Sequence, residues 1–241
     1  MQPAVRAEGA VKIYGEGHLG VKALDDVTVG FETGRFSAIM GPSGSGKSTL
    51  LHCLAGLDSL SEGKVFIGDQ DLGVLDDRSL TLLRRERVGF VFQAYNLIPT
   101  LTARENITLP LDIAGTDGDP EWLDRVITVM GLGDRLTHRP SELSGGQQQR
   151  VAVARAVSSR PDVIFADEPS GNLDSKSGAQ LLEFLRKAVD EFGQTIVMVT
   201  HDPNAASYSD RVVFLGDGRV VDELERPSAD SILDRIRSLE G

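Results

Sequence analysis

Arg35-Phe36-Ser37-Ala38-Ile39-Met40 runs directly into Gly41-Pro42-Ser43-Gly44-Ser45-Gly46-Lys47-Ser48-Thr49. The apolar run reads as a buried strand. The glycine-rich stretch reads as a loop, and the residues from Lys47 onward read as a helix, so a phosphate-cradling turn is predicted between strand and helix. A polyphosphate is best held by converging backbone N–H groups, and glycine lets the main chain curl that closely around it. Lys47 is then placed to reach the β and γ phosphates, and the Ser48 hydroxyl to ligate Mg²⁺. Gly41, Pro42, Ser43, Gly44, Ser45, Gly46, Lys47, Ser48 and Thr49 are therefore candidate residues for binding a nucleoside triphosphate. The competing reading is a glycine-rich turn with an incidental lysine. The strand before it and the helix after it weigh against that.

Working outward, buried-type strands are predicted at Val88-Gly89-Phe90-Val91-Phe92, Asp162-Val163-Ile164-Phe165-Ala166 and Thr195-Ile196-Val197-Met198-Val199-Thr200. Residues of chemical interest stand just after each: Gln93, the pair Asp167 and Glu168, and His201. In an open parallel sheet the C-terminal strand ends converge on the ligand crevice, so these positions are expected to meet Gly41 at one edge. Asp167 is placed to hold Mg²⁺ beside Ser48, leaving Glu168 to orient and deprotonate a water. His201 is expected to contact the γ-phosphate. The Gln93 amide can reach Mg²⁺ or the attacking water, or simply begin a loop. Tyr14 offers an aromatic platform for adenine, or is a surface tyrosine.

The remaining chain frames this core. Alternation at Val11, Ile13, Val27, Val29 and Phe31 predicts half-buried antiparallel strands, and Lys64-Val65-Phe66-Ile67-Gly68 a further short one. From Asn96 the pattern becomes helical. Thr102 and Glu105 have capping-box spacing, Pro110 is expected to bend or end that helix, and Asp119-Pro120 opens another running to Gly131. Ser144 and Gln147 form a second capping box, on a helix directed toward Pro161. A hairpin is expected around Gly216-Asp217-Gly218 and an amphipathic helix from Ser231 to Leu239. The fold class is α/β: a P-loop NTPase core with a mixed sheet, an N-terminal antiparallel β subdomain and an inserted helical subdomain. The chain reads as one domain over 1–241, with the core at 1–95 and 143–241 and the insert at 96–142.

Composition narrows the function. Of 241 residues, Lys plus Arg number 25 and Asp plus Glu 36, giving a net charge of −11 that argues against a nucleic-acid cleft. The single cysteine, Cys53, excludes an internal disulfide and reads as a small buried apolar residue. Neither a signal-peptide core nor a run of about 18 apolar residues is present, so a soluble cytoplasmic protein is expected.

Leu143-Ser144-Gly145-Gly146-Gln147 changes the reading, since five fixed residues recur by chance in well under about one chain in a thousand of this length. A glycine pair on a capped helix N-terminus presents free N–H groups and a positive dipole end, a second anion site. Together with the phosphate loop it resembles the signature of ATP-binding-cassette (ABC) ATPases, over essentially the whole chain. The resemblance takes Tyr14 as the adenine-stacking residue, Gln93 as the loop glutamine, Asp167-Glu168 as the second Walker motif and His201 as the switch histidine. It takes Ser170-Gly171-Asn172-Leu173-Asp174 as the loop touching the opposite subunit. The segments from Phe92 to Thr102 and from Glu168 to Asp174 look like the lipoprotein-release and macrolide-export branch, with Ser170 where that branch usually has threonine.

The resemblance implies a transporter ATPase using ATP and Mg²⁺. Each ATP is expected between the phosphate loop of one copy and Ser144, Gly145, Gly146 and Gln147 of a second. The twofold dimer would drive an integral membrane permease on a separate chain, holding this chain at the inner face of the cell membrane. Glu168, His201, Gln93 and Lys47 are the expected catalytic residues, and Ser48, Gln93 and Asp167 the Mg²⁺ ligands. Rival readings are a relative that transmits a cell-division signal without transport, a ribosome- or DNA-associated cassette, which the acidic charge disfavours, and a small-molecule kinase, which leaves the signature unexplained.

Overall fold

A computed structural model describes residues 3–15, 20–92, 95–171 and 173–240. In chain order its elements begin with strands β1 (Pro3–Tyr14), β2 (Val21–Glu32) and β3 (Phe36–Met40), then helix α1 (Lys47–Leu54), strands β4 (Glu62–Ile67) and β5 (Gln70–Asp71), helix α2 (Asp77–Arg87) and strand β6 (Val88–Phe92). Helices α3 (Ala103–Ala114), α4 (Pro120–Val129) and α5 (Gly145–Ser158) follow, then β7 (Val163–Asp167), α6 (Ser175–Phe192), β8 (Ile196–Val199), α7 (Pro203–Ala206), β9 (Arg211–Gly216), β10 (Arg219–Glu225) and α8 (Ala229–Glu240).

Two sheets form, a four-stranded one ordered β2-β1-β4-β5 and a six-stranded one ordered β10-β9-β3-β8-β7-β6. The first is antiparallel; the second is parallel from β9 to β6, with β10 antiparallel at its edge. Strand periodicity divides the core. Phe36, Ala38 and Met40 of β3, Ile164 and Ala166 of β7, and Ile196 and Met198 of β8 join one apolar cluster with α3, α4, α5 and α6. Ile39, Val163, Phe165, Val197 and Val199 join the other, with α1 and the antiparallel sheet. Both faces of the parallel strands are thus covered, which is why those strands read as unbroken apolar runs.

Local signals hold where caps define helix starts. Both capping boxes form, Thr102 with Glu105 and Ser144 with Gln147, and Asp119 caps α4 with Pro120 in its first turn. Pro110 does not end its helix. α3 continues through it to Ala114, because Ile107 and Leu111 on either side are buried in the core and that packing outweighs one missing backbone bond. Three helices go unnamed in the sequence reading: α2, with Leu83 as its buried residue, the 18-residue α6 and the short α7.

Candidate nucleotide site

The loop after β3 leads into α1 through Gly46, whose φ of 96° is left-handed and which has no side chain to act as a cap, so the first N–H groups of α1 lack helical partners. Glycine is required here: a Cβ on Gly46 would sit 2.3 Å from the carbonyl oxygen of Ala23, and one on Gly41 would sit 2.1 Å from that of Leu215. The loop is anchored from outside by Gly218 N–H donating to Ser45 O (3.1 Å) and closed on itself by Ser45 N–H donating to Pro42 O (3.2 Å). Lys47 Nζ donates to the same Pro42 oxygen at 2.8 Å. Burial pulls the Lys47 ammonium below its ordinary pKa, against the opposing pull of the Glu168 and Asp167 carboxylates. The Ser45 hydroxyl is buried with no hydrogen-bond partner, a polar group facing an unmet demand inside a phosphate-type loop.

Strands β3, β8 and β7 are hydrogen-bonded neighbours running in the same direction, so their C-terminal ends deliver side chains to one edge. Asp167 ends β7, where Ser48 Oγ donates to its Oδ1 at 3.3 Å. Glu168 follows with φ of 46°, a left-handed conformation that costs a non-glycine residue about 1–3 kcal/mol unless its surroundings enforce it. They do: Glu168 N–H donates to Val199 O at the end of β8, and Glu168 O accepts from Gly171 N–H at 3.0 Å. His201 Nδ1 lies 3.0 Å from each Glu168 carboxylate oxygen. An ionised carboxylate only accepts, so Nδ1 carries the proton in this pairing and Nε2 stays available. The parallel register therefore brings together Lys47, Ser48, Asp167, Glu168 and His201. Gln93 and Asn172 lie outside the described residues.

The donor set suits Mg²⁺. Ser48 and Asp167 offer hard oxygens, and Mg²⁺ commonly takes one or two protein ligands with phosphate and water completing the shell. Among the described residues no cluster of three or more His, Cys, Asp or Glu makes an all-protein cage.

The signature residues sit apart, at the start of α5. Ser144 Oγ accepts from Gln147 N–H (3.3 Å) and Gln147 Oε1 accepts from Ser144 N–H (2.8 Å). A Cβ on Gly146 would come within 3.2 Å of Gln180 Oε1, so the glycine keeps this helix end narrow. Tyr14 closes β1 with 44% of its surface exposed. Sequence reasoning missed His52, whose Nε2 lies 3.6 Å from Asp167 Oδ2; it stands four residues after Ser48 on α1, a spacing that put both on one helix face. It also missed Lys12, which shares a strand face with Tyr14 two residues on, and Asp58, which meets Tyr14 only through the tertiary fold.

A family model described as ABC transporter matches residues 24–171, more than half of the chain and including the loop, the signature and the strand-end acids. The chain belongs to the ABC transporter family. It is an ABC ATPase cassette of the branch that the Phe92–Thr102 and Glu168–Asp174 segments resemble. Its relatives include an uncharacterized ABC transporter ATP-binding protein of Methanocaldococcus jannaschii, MJ0796, 44% identical over 222 residues that cover 90% of this chain and 94% of the relative. The macrolide export ATP-binding/permease protein MacB of Marinobacter nauticus is 44% identical over 232 residues, 95% of this chain, and this chain spans 36% of its length. A solved dimer of MJ0796 in a post-hydrolysis state bound to ADP and Pi superposes with a TM-score of 0.77 at 42% identity, covering 93% of this chain and 99% of that one.

Proposed function

We propose that this ABC cassette hydrolyses ATP at a site completed by a second copy of itself and passes the resulting motion to a membrane permease on a separate chain. The observation that carries the proposal is the pair of contacts at adjacent strand ends, Ser48 with Asp167 and Glu168 with His201, beside an uncapped helix N-terminus.

In this reading the backbone N–H groups of the loop from Gly41 to Thr49, Pro42 excepted because it has none, and the Ser45 hydroxyl hold the phosphates, and Lys47 exchanges Pro42 O for the β and γ phosphates. Ser48 and Asp167 hold Mg²⁺, with Gln93 assigned there by resemblance. Held there, Mg²⁺ would supply positive charge to the phosphoryl oxygens. Glu168 accepts the proton of the attacking water, and His201, held by Nδ1, presents Nε2 toward the γ-phosphate. Tyr14 carries the base. Ser144, Gly145, Gly146 and Gln147 of the second copy bind the γ-phosphate from the opposite side. This pairing is supported by the dimeric state of the MJ0796 cassette, a protein nearly matched in length to this chain. Steady-state ATP turnover by the purified chain tests the chemistry: it should require Mg²⁺, stop on chelation and fall sharply in Glu168→Gln.

The permease reading is supported by a groove of about 440 Å³ between α2, β6 and α3, lined by residues that include Leu57, Phe90, Phe92, Asn96, Pro110 and Ile113. Arg155 pins its rim, donating to the carbonyl oxygens of Asn96 (2.7 Å) and Tyr95 (2.9 Å). Among the described residues no helix is long and apolar enough to cross a membrane, so peripheral attachment through this groove is the proposed placement. Membrane sedimentation with and without a co-expressed permease tests it. Substitutions from Asn96 to Thr102 should uncouple hydrolysis from transport while sparing ATP binding.

A further inference from the structure

The Tyr14 ring is held by a small charged network that joins β1 to the turn after α1. Its phenol donates to Asp58 Oδ2 at 2.6 Å. The other Asp58 oxygen accepts from Lys12 Nζ at 2.5 Å and from Ser59 N–H at 2.8 Å. Lys12 Nζ also donates to Ser59 O at 2.7 Å and lies 4.8 Å from the centre of the Tyr14 ring. Asp58 is itself fixed to the far end of α1, because Leu57 N–H and Asp58 N–H both donate to His52 O, at 2.8 and 3.3 Å. Through Asp58 the ring is therefore tied to the helix whose N-terminus carries the phosphate loop.

We propose that Asp58 is a positioning residue for nucleotide binding: it locks the Tyr14 ring at a set place relative to α1, while Lys12 occupies one ring face and leaves the other for the base. The inference rests on the reading of Tyr14 as the base platform. An exposed tyrosine at a strand end would otherwise rotate freely, and ordering it at the moment of binding subtracts from affinity; a ring already fixed avoids that loss. Charge states favour the lock. Burial pushes the Asp58 carboxyl up, but hydrogen bonds from Lys12 and Tyr14 outweigh it and hold the group below its ordinary value, while the bond to Asp58 is the main cause raising the Tyr14 phenol. At neutral pH the carboxylate accepts and the phenol donates. A cation on a ring face is a favourable contact in its own right, so Lys12 and Asp58 constrain the ring from two directions.

The test separates positioning from general structural damage. Asp58→Ala should raise the KM for ATP about three- to tenfold, the scale of one charge-assisted hydrogen bond, with kcat at saturating ATP changed less than about twofold. Tyr14→Phe keeps the ring, loses the donor and should raise KM by the same factor, and the double variant should add nothing. Inhibition by tripolyphosphate, which has no base, should be unchanged by Asp58→Ala. Asp58→Asn, which keeps an acceptor without the charge, should fall between wild type and Asp58→Ala, and it carries the test if the alanine variant unfolds. If Tyr14→Ala leaves KM unaltered, the base-platform reading fails and this inference with it. If Tyr14→Ala raises KM while Asp58→Ala and Tyr14→Phe do not, the platform stands and the positioning role is overturned. Equal losses in kcat, in tripolyphosphate inhibition and in ATP KM would reduce Asp58 to a structural residue.

Discussion

Two helix N-termini in this chain carry the same dipole and are finished in opposite ways. α1 begins at a left-handed Gly46 with no side-chain cap, so its first N–H groups are left for a ligand, and Lys47 adds a full positive charge in the same turn. α5 begins at Ser144 with both halves of a capping box closed by Ser144 and Gln147, and its first residues bring no charge. In the shared site proposed above, the contrast is a division of labour between the two ends. A helix end that must capture an anion alone leaves its donors unpaired and recruits a cation. One that only completes a site formed elsewhere can keep its own cap and offer a glycine-narrowed backbone.

The sharpest way to separate the two ends is to remove chemistry while leaving both intact. Glu168 touches neither helix end and is engaged by His201, so Glu168→Gln should bind ATP with near-normal affinity while turnover falls about 10²–10⁴-fold, the usual contribution of a general base. Single-turnover hydrolysis beside equilibrium nucleotide binding measures both. Turnover close to wild type would remove Glu168 from the base role.

In that slow background the two ends can be broken one at a time. Lys47→Ala should weaken ATP binding to the isolated chain, because the phosphates lose their only charged partner on α1. Ser144→Arg should leave that binding largely intact and block ATP-driven pairing, since a long cation would fill the narrow end of α5. Sedimentation with and without ATP reads the difference. A Ser144→Arg variant that pairs normally would refute the shared site.

How much of this was legible in the sequence follows from the range of each signal. The loop at 41–49, the two capping boxes and the run of buried strands each depend on residues close in the chain, and each is recovered in the structure. Strand neighbours follow from those runs only once the parallel order is known, yet the expectation that Gly41, Asp167, Glu168 and His201 share an edge needs no more than the rule about strand ends. α2 was obscured by its own composition. Arg84, Arg85 and Arg87 dominate its last turns, and a single buried leucine leaves almost no apolar stripe to detect, although Asp76 caps it in the ordinary way. Of the two outcomes expected at Pro110, a bend or an end, the helix does not end there, because packing against α5 governs. Asp58 was invisible for a different reason: it lies 44 residues from Tyr14, and nothing local marks the pair.

The smallest expected effect tests whether the closed end of α5 is merely a well-made helix start. Ser144→Ala removes the hydroxyl that accepts from Gln147 N–H at 3.3 Å and leaves that donor only the Ser144 carbonyl oxygen, at 2.9 Å. Losing an N-cap of this kind costs about 1 kcal/mol, which for a chain of this size lowers Tm by roughly 2–4 °C. α1 has no counterpart to this substitution, because Gly46 contributes no side chain to lose. ATP binding by the isolated chain should be unchanged, since the hydroxyl lies outside the loop at 41–49. In the Glu168→Gln background, pairing should weaken by more than the stability loss alone implies, because the same hydroxyl would contact the phosphate of the opposing site. A thermal melt combined with ATP-dependent sedimentation distinguishes these terms. If Tm falls and pairing is untouched, Ser144 is a cap and nothing more, and the contribution of α5 to the phosphate must come from the Gly145 and Gly146 backbone.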